Sequence, residues 1–459
     1  AIFLHSAVQG GPGNDVDKNS QIYDLKCEYK TNPIGIDEPD PRLSWKISPN
    51  SGTTQQTAYQ IRAAENKKAL NSNRQLIWNT EKVQSDRSVH IPYGGPELKS
   101  GQRIYWQVRI WDQEGNVTEW SSPAYFEMGL LDPNDWEAEF ITPTLEEDTT
   151  QPEPSPYLRK EFTLKKSVSS ARAYVTSLGL YEFHMNGNKV GDQVFTPGWT
   201  SYRHRLPYQT YDVTSLLQKG ANAIGAILGD GWYRGYLAWE DNRNVYGNKL
   251  ALIAQLEITF KDGSKRTITT DDTWKASFGP IRMSDIYNGE TYDARKEING
   301  WDKPGFQAES WAKTTYHSYP KENLIAPDDP PVRKVKKIEP KEIIYTPEGD
   351  TVFDMGQNMV GWIRLNINSD EGNTIRLKHV EVLDKEGNLY TENLRAADQC
   401  VKYTFKGESP RETYEPHFTF QGFRYVAIEG LDKKPSKDML TGMVIHSDME
   451  RIGDFECSN

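Results

Sequence analysis

Cysteine is scarce: Cys27, Cys400 and Cys457 are the only three in 459 residues. Their odd number and wide spacing exclude a disulfide framework and a cysteine metal knuckle, so buried thiols are expected. Basic charge is also short, with 54 Lys and Arg against 65 Asp and Glu, a net charge of −11. Phosphates are repelled by such a balance, and no nucleic-acid partner is expected. The one basic cluster, Arg333-Lys334-Val335-Lys336-Lys337, falls in a proline-rich connector and reads as a solvated linker. No apolar run approaches membrane-helix length, so no membrane span is expected. A serine nucleophile elbow, an HExxH helix, a Walker loop and a dinucleotide fingerprint are all missing.

Helical periodicity is nearly absent as well; only Tyr211–Leu217 and Glu392–Asp398 look briefly helical. What is present is strand. Ile104, Trp106, Val108 and Ile110 fall on one face of Arg103–Trp111, with Tyr105, Gln107 and Arg109 on the other, the period-2 pattern of a half-buried strand. Large rings are plentiful, 13 Trp and 24 Tyr, although only 36% of residues are hydrophobic. That combination suits several small β-domains, each with a core of a few big side chains.

Length suits two to four domains. Short strands separated by Gly, Asn and Pro turns predict a fibronectin type III or immunoglobulin sandwich over residues 20–132. Thr142–Pro156 is proline- and acid-rich, a linker or long surface loop. A second module is assigned to residues 133–320, with strands at Ala171–Val175, Tyr181–Met185, Ala223–Leu228, Leu250–Thr259 and Arg266–Thr270 and a turn at Asn186-Gly187. Residues 321–341 read as a linker and 342–446 as a third module, in which Ile363, Leu365 and Ile367 oppose Trp362, Arg364 and Asn366. Residues 1–19 open with Ala1-Ile2-Phe3-Leu4-His5-Ser6-Ala7, which resembles the end of a signal-peptide apolar region; an ordinary apolar stub is the alternative.

Sugar sites combine flat aromatic faces with planar polar groups. The second module offers Trp199, then Asp230 and Trp232, then Asp241 and Asn242, and Asp192 upstream. A core position is the favoured reading for any one of these rings; for the group, at least one exposed stacking ring is expected. Asp192, Asp241, Asn242 and Asn244 could supply oxygen to calcium, yet no EF-hand spacing occurs and turn chemistry explains the same residues. His379 and Glu381 would share a strand face. They could form a metal or acid/base pair, but no third partner is evident, and a structural hydrogen-bonded pair is the plainer reading.

These motifs also carry a family likeness. Tyr105-Trp106-Gln107-Val108-Arg109 with Trp120-Ser121 resembles the fibronectin-like domain of bacterial α-L-rhamnosidases (glycoside hydrolase family 78). The second module resembles their N domain at Met185-Asn186-Gly187, Thr196-Pro197-Gly198-Trp199-Thr200, Leu228-Gly229-Asp230-Gly231-Trp232-Tyr233 and Gly300-Trp301-Asp302. The third resembles their next sandwich at Asp354-Met355-Gly356-Gln357-Asn358 and Gly422-Phe423-Arg424-Tyr425-Val426. The resemblance implies a mainly β chain of three consecutive sandwiches, fibronectin III-like and then two of jelly-roll or lectin-like form. It implies an enzyme removing terminal α-L-rhamnose with inversion.

In the family the catalytic carboxylates lie in an (α/α)₆ barrel, and residues 447–459 resemble its approach. No catalytic residue is therefore assigned, and the chain alone is expected to be inactive. The implied partners are rhamnose-containing glycans or glycosides and the enzyme's own catalytic domain, in a secreted or periplasmic setting. No cofactor is required. Some relatives bind rhamnose through calcium in the second module, which by position points to Asp192 and Asn244 for the ion. A stand-alone sugar-binding protein or a scaffold is the alternative.

Overall fold

A computed structural model describes residues 22–48, 55–237, 242–408 and 410–458. The apolar stretch at the start of the chain lies outside these residues. The chain divides into two compact units, Ala1–Asp135 and Trp136–Asn459.

The first unit is an immunoglobulin-like pair of sheets. Arg103–Asp112 is central, pairing with Gln56–Ala64 on one side and Ala124–Met128 on the other. Ile104, Trp106, Val108 and Ile110 are fully buried, as their alternation predicts, against Leu43, Trp45, Ile61 and Phe126. The opposite face is covered too. There Arg62 lies 4.1 Å from the centre of the Trp120 ring and Arg109 lies 4.8 Å from it, alternating cations and rings above the strand. This cover is why Gln107, on the polar side of the pattern, is buried as well. Ser121 completes the brace, its hydroxyl accepting from the Val108 backbone N–H at 3.1 Å.

The second unit contains an 11-stranded curled sheet and a 10-stranded sheet among its described residues. In the first of these, Val168–Leu178 lies antiparallel to Ala251–Phe260. Alternate residues Ala171, Ala173 and Val175 enter a core with Phe183, Ile224, Ala226 and Leu228. Asn186-Gly187 forms the expected hairpin tip between Leu180–Met185 and Asn188–Lys189, with φ of 51° and 85°.

Three assignments are corrected here. Ile281–Asp285 and Gly289–Asp293, placed by sequence in the second module, are strands of the 10-stranded sheet; Gly289–Asp293 runs parallel to Cys400–Thr404. The stretch read as a linker holds a seven-residue strand, Val332–Ile338, paired with Leu440–Ser447. Its partner lies over a hundred residues downstream, where local composition carries no trace of it, and its lysines suit its place at the sheet edge. Of the two helical stretches expected, Thr214–Leu216 and Glu392–Leu394 are single 3₁₀ turns. Among the described residues the α-helices are Lys67–Ser72, capped by the Asn66 side chain, and Gly231–Arg234.

One core cluster joins the two sheets: Tyr157, Leu180, Phe195, Ile227 and Trp301 pack with Phe353, Trp362, Phe418 and Phe423. Ile363, Leu365 and Ile367 are buried as expected, but so is Trp362 on the other face, because Phe195, from the loop after Asn188–Lys189, meets it edge-on.

Candidate functional site

An aromatic column leads from solvent into that shared core. Trp199 stands at its outer end, 57% exposed, on a loop held by the Tyr202 hydroxyl donating to the Gly198 carbonyl at 2.9 Å. Its ring lies parallel to half-buried Trp232, with centroids 6.1 Å apart, and its indole N–H points to the Tyr246 hydroxyl at 3.3 Å. Phe195 and Phe420 back Trp232 from below. The sequence singled out both tryptophans, and the structure brings them together. An exposed indole held at this angle offers a flat apolar surface, the type of surface that the C–H face of a sugar ring stacks on.

Asp230 does not line this platform. Its buried carboxylate is bound by Arg234 Nε at 2.7 Å and Arg243 Nη2 at 3.0 Å, and Arg234 also reaches Glu147 at 2.9 Å. Burial opposes the charge on Arg234, yet the two carboxylates keep its pKa above the ordinary arginine value. Asp230 is therefore an internal counterion; its position one turn before Arg234 on the Gly231–Arg234 helix sets the pair. Arg234 Nη2, Arg243 Nε and Nη1 and Asn244 Oδ1 are buried without a hydrogen-bond partner among the described residues, places suited to ordered water.

Asn242 contributes its carbonyl to the Leu237 N–H at 2.8 Å. Asp241 lies outside the described residues. Asp192 is exposed and paired with Arg333 at 2.9 Å, whereas Asn244 donates its side-chain N–H to the Thr149 carbonyl at 2.8 Å. Calcium needs about six to eight oxygens. No group of three or more His, Cys, Asp or Glu suited to a metal occurs among the described residues. Asp192 and Asn244 have separate partners, one of them a guanidinium, so these residues do not fit a calcium ion as a pair.

His379 and Glu381 are not a pair either. The His379 ring is fully buried against Phe423, its Nδ1 lies 3.0 Å from the Gln399 carbonyl, and burial lowers its pKa to about 4. Glu381 instead accepts from Asn358 and Asn393.

Sequence reasoning missed a polar cluster between the sheets. Glu182 accepts from Lys189 at 2.7 Å and lies 3.1 Å from His417 Nδ1; His184 Nδ1 lies 2.9 Å from Asp302. Glu290 accepts from the Tyr414 hydroxyl and from the His417 and Phe418 backbone N–H groups. These residues are dispersed over more than two hundred positions, and no local motif joins them. Burial raises the pKa of Glu290 and of Asp285, the trait of a general acid. Both are sealed from solvent, and Asp285 spends its oxygens on the N–H groups of Tyr236, Tyr287 and Asn288. Neither can reach a substrate.

Family models match along the chain in order. Residues 22–132 match a Rha78A-like N-terminal immunoglobulin domain, 166–336 an α-L-rhamnosidase N-terminal domain, and 344–446 a bacterial α-L-rhamnosidase concanavalin-like domain. An α-L-rhamnosidase of Formosa agariphila is 38% identical over 100% of this chain and 50% of its own length. The crystal structure of the native α-L-rhamnosidase of Aspergillus terreus is similar with a TM-score of 0.88 and 40% identity, over 96% of this chain and 50% of that one. The Streptomyces avermitilis α-L-rhamnosidase complexed with L-rhamnose also gives 0.88, at 31% identity, over 93% of this chain and 57% of that one. The chain spans about half the length of most of the curated relatives it matches.

Proposed function

Because the chain belongs to the bacterial α-L-rhamnosidase family, we propose that it forms the non-catalytic β-domains of an enzyme that releases terminal α-L-rhamnose with inversion. The observation that carries this reading is the ordered run of three family domains. Its role is to brace the catalytic domain of that enzyme and to present rhamnose-containing glycans or glycosides to it, in a secreted or periplasmic setting. Inversion needs an acid and a base about 6.5–9.5 Å apart, on either side of the glycosidic bond. The carboxylates raised by burial here, Asp285 and Glu290, are closed to substrate, which supports inactivity of the chain alone. Incubated with an aryl α-L-rhamnoside, the purified chain is expected to release no aglycone above buffer. Release that scales with chain concentration would refute this.

A second reading, sugar binding by the chain itself, is favoured by the exposure of Trp199 on its stack. L-rhamnose is then expected to change tryptophan fluorescence, with Trp199→Ala weakening binding about tenfold, the loss of one good stacking contact. A chelator is expected to leave the titration unchanged, since Asp192 and Asn244 do not share a site. A flat titration of the unsubstituted chain, or unaltered affinity in the variant, would remove this reading.

A further inference from the structure

The polar cluster between the two sheets of the second unit has a charge balance that depends on its histidines. Glu182 and His184 stand on Leu180–Met185 of the curled sheet; Glu290 and Tyr292 stand on Gly289–Asp293, with Tyr414 and His417, on the other sheet's side. Asp302 joins from the following loop. His417 bridges the two sides, with Nδ1 at 3.1 Å from Glu182 and its backbone N–H on Glu290 at 2.9 Å. Its ring lies flat over Tyr292, with centroids 6.0 Å apart, and the His184 ring packs on Trp301 at 5.1 Å.

Glu182, Asp302 and Glu290 bring three negative charges, and Lys189 brings one positive charge. With all three carboxylates ionised, the cluster has a net charge of −2 when both imidazoles are neutral and is balanced when both are protonated. The surrounding charges are already matched: Glu297 with Lys406 at 2.7 Å, and Arg159 with Glu161. Lys303 follows Asp302 in sequence and adds to the field on it. Tyr157 and Tyr292 remain neutral, since burial drives both phenols up.

We propose that His184 and His417 form a proton latch between the two sheets, which holds while both rings are charged and loosens when they lose their protons. Burial opposes charge on both rings, but Asp302 and Glu182 at His184, and Glu182 and Glu290 at His417, outweigh it and raise each pKa above 6.5. A raised histidine stabilises fully below its ordinary value, and this is lost as pH climbs through the folded value. Glu290, raised by burial, acts in the same direction. Glu182 and Asp302 are buried yet lowered, by Lys189 and His417 and by His184 respectively, so their contribution is lost as pH falls through their depressed values. The joint is therefore tightest in mildly acidic solution. Each pKa unit gained by a histidine on folding favours the closed joint about tenfold.

The test is hydrogen exchange of the whole chain at about pH 5.5 and about pH 8.5, corrected for intrinsic rates, with NMR titration of the two imidazoles. Amides of Leu180–Met185 and Gly289–Asp293 are expected to lose protection at the higher pH, and both rings to titrate above 6.5. His417→Gln is expected to flatten that dependence by about tenfold or more, with Glu182→Gln doing the same from the opposite sheet. Titration of both rings below 6.5 in the unsubstituted chain would overturn the latch even if a variant failed to fold. So would a variant that folds and keeps the full pH dependence.

Discussion

Arg234→Ala is expected to destabilise the second unit by about 3–5 kcal/mol, the range for breaking a buried ion pair from one side. Arg234 is fully buried and its guanidinium serves Asp230 and Glu147 together. Alanine leaves Asp230 with Arg243 alone and Glu147 without this counterion, while also opening a cavity where the long side chain packed. Urea denaturation followed by tryptophan fluorescence measures the loss. Asp230→Asn added to Arg234→Ala is expected to cost less than the two separate losses combined, because the damage lies in the uncompensated charge. Strict additivity would mean that the two side chains act independently and that the pair is incidental.

Gly289→Ala is expected to cost about 3 kcal/mol or more, and to do so within the 10-stranded sheet, at the start of Gly289–Asp293. Gly289 has φ of 111°, which side chains rarely adopt, and an added Cβ would lie 2.0 Å from the Cys400 carbonyl oxygen. That contact is with backbone, and Gly289 is the register partner of Cys400 at the head of the parallel pairing. The strand cannot shift away without losing the ladder that fixes Glu290 and Tyr292 beneath His417. Thermal unfolding should show a lowered midpoint, and hydrogen exchange should show early loss of protection in Gly289–Asp293. A variant as stable as the parent would show that this register is not enforced.

Much of the local architecture was legible. The alternation in Arg103–Asp112 identified its buried face, and the Asn186-Gly187 dipeptide marked its hairpin, because strand period and turn chemistry are properties of adjacent residues. Trp199 and Trp232 were also visible as rings that follow a glycine. Their fates diverge, one exposed and one half-buried, since exposure depends on what Phe195 and Phe420 bring from elsewhere. Asp230 illustrates the same limit. An acid in a glycine-rich loop looks available for a hydroxyl until Arg234 and Arg243 fold over it.

The sequence by itself determined that this protein is a β-rich chain and that its ordered motifs are those of bacterial α-L-rhamnosidases. Only the tertiary structure decided that Ile281–Asp293 and Val332–Ile338 join the sheet of the third module, and that one core serves both sheets. It also decided that three carboxylates, one lysine and two histidines meet at the joint between them. The pairing of these strands, and of His184 with Asp302 and His417 with Glu182, joins partners a hundred or more residues apart. A period-2 pattern says which side of a strand is apolar, but not which strand or counterion will lie beside it.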